Sequence, residues 1–102
     1  MIRTSSSDLC RVVLVHQIDR GRYKLKHPIK VWYVKEADGS YSGIIHELEI
    51  LCKGRDSDEA LYNAFSEMLT LYEFITRVPL SYVFNDEILF YRYFLNSHII
   101  KI

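Results

Sequence analysis

The chain is poor in the residues that build special frameworks. It has two cysteines in 102 residues, Cys10 and Cys52, with no CxxC spacing and no neighbouring second metal ligand. That excludes a disulfide scaffold and leaves two small hydrophobes expected to be buried. Four glycines and two prolines exclude a collagen-like or linker-type chain. No apolar run approaches the roughly 20 residues of a membrane helix, so no membrane partner is expected. Residues 1–8 lack the basic-then-apolar order of a signal peptide, and the cytoplasm is the expected compartment. What is present is ordinary globular composition, 49% hydrophobic and 25% charged, which argues against disorder. The length suits one domain, expected to span residues 1–102.

Net charge is also absent, yet the charges are segregated. Residues 1–35 hold eight Lys/Arg against Asp8 and Asp19, a net of +6. Residues 36–76 hold Lys53 and Arg55 against nine acids, a net of −7, and residues 77–102 return +1. Such asymmetry steers an anionic partner to one end or brings a basic edge against an acidic helix of the same or another subunit.

After a short Ser-rich lead at residues 1–8, expected to be mobile, the β-branched run Val12-Val13-Leu14-Val15 predicts a strand. Asp19-Arg20-Gly21-Arg22 predicts a turn, and Tyr23-Lys24-Leu25-Lys26-His27 alternates like a half-buried strand. Residues 9–27 thus read as an N-terminal hairpin, closed by Pro28. Residues 29–84 read as the core. Residues 29–36 are apolar on both faces: Ile29, Val31 and Tyr33 on one, Trp32 and Val34 with Lys30 on the other. That pattern suits a central strand or one that sits at an interface. Asp38-Gly39 predicts a hairpin with a type I′ turn, returning through residues 41–46. Residues 48–53 alternate again and end at Gly54.

Asp56 with Glu59 three residues later resembles a capping box. Leu61, Ala64, Phe65, Met68, Leu69, Tyr72 and Ile75 then recur at steps of three and four, predicting a helix over 57–75 that lies on the sheet. Val78-Pro79 stops it. A last strand is expected over residues 80–84, followed by an apolar helix within 85–102. That segment has almost no polar face. Leu89, Phe90, Tyr93 and Phe94 are therefore the candidate interface with another subunit or a partner protein, the alternative being a tail buried within its own chain. The expected fold class is α+β: an antiparallel sheet of three to five strands on one long helix, plus a C-terminal apolar helix.

The order strand, Asp-Gly turn, strand, strand, long helix, strand also resembles the HicB family, the antitoxin half of a bacterial and archaeal toxin–antitoxin pair. The likeness covers about residues 31–75. It rests on Asp38-Gly39-x-Tyr41, Leu48, Gly54, Ser57-x-Glu59-Ala60, Asn63, Glu67 and Tyr72. It implies a β-β-β-α-β core like a truncated ribonuclease H fold, and a non-catalytic module that occludes a small basic toxin. Asp56, Asp58, Glu59, Glu67 and Glu73 are the acids expected to meet that partner. Where the family places Pro-Gly after the second-strand Leu, Leu48 is followed by Glu49-Ile50.

No catalytic constellation stands out. Glu36, Glu47 and Glu49 are the main acids on or beside strand candidates, and they do not form the converging set that two-metal nuclease chemistry needs. His16, His27, His46 and His98 show neither HxH nor HxxxH spacing. Ser5-Ser6-Ser7 lacks a nucleophile-elbow setting, and the glycines form no phosphate loop. No enzyme activity, cofactor or metal is expected. The alternative is an RNA-binding module in which Arg20, Arg22, Lys24, Lys26 and Lys30 contact phosphates while Trp32 and Tyr33 meet bases. An orphan domain that only self-assembles is the third reading.

Overall fold

The computed structural model describes residues 10–18, 21–79 and 86–102. The lead at residues 1–8, Asp19 and Arg20 of the expected turn, and the strand expected over residues 80–84 lie outside them. The described elements run β1 (Cys10–Val15), β2 (Tyr23–Leu25), β3 (Ile29–Lys35), β4 (Tyr41–Ile45), β5 (Ile50–Gly54), α1 (Ser57–Arg77), α2 (Asp86–His98) and β6 (Ile99–Lys101). This is the expected α+β class. The main sheet is antiparallel with order β1-β3-β4-β5, and β2 pairs with β6 in a separate two-stranded sheet.

The N-terminal hairpin expected over residues 9–27 does not form. β1 instead runs antiparallel to β3, from Cys10↔Val34 to Val15↔Ile29, and β2 leaves to pair with β6. The physical reason is ladder length and burial. β3 is apolar on both faces and gives β1 six paired positions. β2 is three residues long, and Pro28 follows it without an N–H to donate.

The β3–β4 loop also differs from the expected type I′ turn. Gly39 takes φ +89°, but Asp38 does not have positive φ. The Glu36 N–H donates to Ser40 O (2.7 Å) and the Gly39 N–H to Glu36 O (3.0 Å). This matches a three-residue loop closed by a left-handed glycine. The Asp38 carboxylate accepts from the Ser40 hydroxyl (2.6 Å) and then its N–H (2.9 Å), which holds its pKa below the usual range.

β5 starts later than expected. His46–Leu48 is a single 3₁₀ turn, and Glu49 sits in the left-handed region at φ 53°. That reversal drops Leu48 into the core at 3% exposure.

α1 runs two residues beyond the expected end. Asp56 caps it by accepting from the Glu59 N–H (2.8 Å). Glu59 reaches back to the Arg55 N–H (2.9 Å) and guanidinium (2.9 Å), one residue earlier than in a standard capping box. The helix approaches the sheet very closely. A Cβ on Gly43 would lie 2.6 Å from Ala60 O, and one on Gly54 would meet the Ala60 backbone. With Ala60 and Ala64 fully buried, these small residues let Phe65, Met68, Tyr72 and Ile75 reach Ile29, Val31, Ile45 and Ile50.

The C-terminal segment is partly a core element of its own chain, not wholly a docking tail. Tyr91, Leu95 and Ile99 are buried in the common core. The Tyr91 hydroxyl donates to Glu87 (2.7 Å), and burial, then that bond, pushes its pKa well up. Arg92 donates to the Val78 (2.6 Å) and Ile75 (3.3 Å) carbonyls, satisfying the end of α1.

Candidate functional site

Pleat alternation divides the main sheet into two faces. Val13, Val15, Ile29, Val31, Gly43, Ile45, Ile50 and Cys52 lie on the α1 side. The opposite face has no helix over it among the described residues. Directly paired positions share a face, so Val12↔Trp32↔Ile44↔Leu51 form one apolar row across all four strands. Leu14 and Val34 flank the row at neighbouring positions. Val12, Leu14 and Leu51 are 43%, 55% and 60% exposed. A monomer rarely leaves such a contiguous set in water.

Polar groups frame the row. Trp32 meets the His46 ring edge-on at 5.5 Å. The buried Ser42 hydroxyl donates to Glu36 (2.5 Å), which holds that carboxylate on the open face. Lys30 is exposed at the other end of β3, and Lys53 is exposed on β5. The pattern on residues 30–34 left this face as either the second side of a central strand or an interface. That it stays uncovered depends on α1 and α2 both lying elsewhere, which periodicity does not show.

The five acids expected to bind a partner are not one free set. Asp56 is the α1 cap, and Glu59 is paired with Arg55, whose hydrogen bond lowers its pKa. Glu73 accepts from the Tyr23 hydroxyl and pairs with Lys101 (2.9 Å) and Arg77 (3.6 Å). Tyr23, then Lys101, holds its carboxyl below the ordinary range, and Glu73 in turn raises Tyr23. It therefore clasps the β2–β6 sheet to α1. Asp58 and Glu67 remain exposed on α1. Glu67 adds to the burial that raises the Cys52 thiol pKa.

The basic candidates are divided. Lys30 is in the main sheet, Lys24 is in the small one, Arg22 and Lys26 flank it, and Arg20 lies outside the described residues. Trp32 and Tyr33 point to opposite faces. No continuous basic track joins them. On α2, Leu89, Phe90 and Tyr93 are exposed (Tyr93 at 74%), whereas Phe94 is half-buried and stacked on His98 at 4.1 Å.

Among the described residues, no three His, Cys, Asp or Glu side chains are grouped to hold a metal ion. No described helix is long and apolar enough to cross a membrane. An open apolar hollow of about 830 Å³ lies between Tyr23, Glu73, Phe74 and Pro79, the last described residue of that segment. No family model matches the chain, and no curated protein or solved structure matches it.

Proposed function

We propose that the chain is a non-catalytic protein-interaction module that works by burying the uncovered face of its main sheet. The in-register row Val12, Trp32, Ile44 and Leu51 carries this reading. Burying such side chains recovers about 25 cal/mol per Å² of apolar surface, and a row spanning every strand is continuous enough to seat a partner. The order β3-β4-β5-α1 is the one expected from the HicB resemblance. The reading therefore extends to an antitoxin-type module, with exposed Asp58 and Glu67 on α1 left to meet a small basic protein.

The test is photo-crosslinking in producing cells. A photoreactive amino acid replaces Leu51 on the open face or exposed Lys24 on the small sheet. Protein adducts at position 51 and none at position 24 support the reading. No adduct at position 51 refutes it. For the antitoxin extension, co-expression with a small basic protein encoded beside the gene should give a complex that Asp58→Lys with Glu67→Lys weakens. Failure to recover any complex removes the extension.

A further inference from the structure

Resting on that reading, we propose that the occupant of the open face is a second copy of this chain. The two copies lie so that each β3 crosses its counterpart antiparallel and Lys30 of one copy meets the partner's Glu36. Two identical faces can stack only about a twofold axis in the plane between them. An axis perpendicular to the strands lays every strand over its own counterpart in reverse. Centred at Tyr33, it sets positions three before and three after against each other. Lys30 and Glu36 are those positions, and both belong to the open face. Trp32 then lies opposite the partner's Val34 and Leu51 opposite the stem of the partner's Lys53, so the two apolar rows run side by side, one on each side of the axis.

The charges select this arrangement. Among the described residues neither Lys30 nor Glu36 has an ion pair within the chain, although Ser42 already holds the Glu36 carboxylate in place. An axis along the strands would instead bring Lys30 level with its own copy, and Glu36 likewise. Stacked sheets sit about 10 Å apart and cross at about 30°. Three residues from the centre, about 10 Å, that crossing displaces the strands by roughly 5 Å, within reach of a lysine and a glutamate side chain. A basic protein fits this face poorly, because Lys30 and Lys53 stand at its borders. A single-stranded nucleic acid fits poorly because one aromatic side chain, Trp32, offers a stacking platform.

The area sets the strength. Four strands about 4.8 Å apart and six residues deep project to roughly 400 Å² per copy. The pair thus lies near the lower end of specific interfaces once side-chain relief is counted (about 1,200 Å² in total). A dissociation constant in the micromolar range is expected.

The experiment is sedimentation equilibrium of the full chain from about 1 to about 500 μM, with folding checked by circular dichroism. The wild type should dimerise. Lys30→Glu and Glu36→Lys should each weaken the dimer about tenfold, since each sets like charges together twice. The double exchange should restore it to within about threefold. Glu36→Gln, which keeps an acceptor for Ser42, should weaken it less than Glu36→Lys. A double variant as weak as the singles overturns the pairing. A wild type that stays monomeric overturns the dimer. In that case adducts at position 51 to other proteins leave the interaction face standing, and their absence removes both.

Discussion

Truncating Leu95 asks whether α2 is a core element of this chain or a tail that waits for a partner. Leu95 has 0% exposure and shares the core with Tyr91 and Ile99, whereas Leu89 on the same helix is 41% exposed. Removing a fully buried leucine side chain loses its transfer free energy and leaves a cavity, together about 3 kcal/mol. For a domain of this size that lowers the melting temperature by roughly 12–24 °C, a large share of a typical stability of about 5–15 kcal/mol. Leu89→Ala should stay within about 0.5 kcal/mol of wild type. Urea and thermal unfolding followed by far-ultraviolet circular dichroism, at low micromolar protein so that association contributes little, separates the two. Equal stability of the Leu95→Ala and Leu89→Ala variants would refute the assignment of α2 to the chain's own core.

Three further perturbations probe the joints of the fold. Gly43→Ala forces a Cβ against the Ala60 carbonyl and should cost about 1–3 kcal/mol in urea unfolding; a neutral result contradicts the close helix–sheet approach. Arg92→Met keeps the aliphatic stem but leaves the Ile75 and Val78 carbonyls without their charged donor, an expected loss of about 2 kcal/mol. Equal urea midpoints for wild type and Arg92→Met would exclude that capping role. Glu73 has a folded pKa below its unfolded value, because Tyr23 and then Lys101 favour the carboxylate. Its contribution is therefore full above the unfolded glutamate pKa of about 4.3 and is lost as pH falls through the lower folded value. The stability difference between wild type and Glu73→Gln should shrink across that acid range, and a pH-independent difference contradicts the clasp.

Local signals carried much of this structure. The stripe from Leu61 to Ile75, with Asp56 and Glu59 ahead of it, defines α1 because a helix buries one face and exposes its end groups within a few residues of sequence. Asp38-Gly39 placed the β3–β4 reversal, although the loop closes with one left-handed residue instead of two. Partner choice was less legible. Alternation assigns Val12 and Leu14 to a face but does not say which strand they join, so the β1–β3 pairing and the β2–β6 sheet lay beyond it. Gly43 reads as an ordinary glycine until Ala60 stands beside it. Glu73 reads as a free surface acid until the chain returns Tyr23 and Lys101 to it from 50 residues before and 28 after. The uncovered face was legible in part: apolar residues on both sides of β3 suit a central strand or an interface, and only the course of both helices leaves Trp32 and Val34 open.

The most direct test of the central claim is hydroxyl-radical footprinting of the chain inside producing cells against the same chain purified and dilute. If the open face serves association, Trp32 and Leu51 react readily in dilute solution and are protected in cells, while exposed Phe74 on α1 reacts equally in both. Equal reactivity of Trp32 and Leu51 in the two settings would contradict the account.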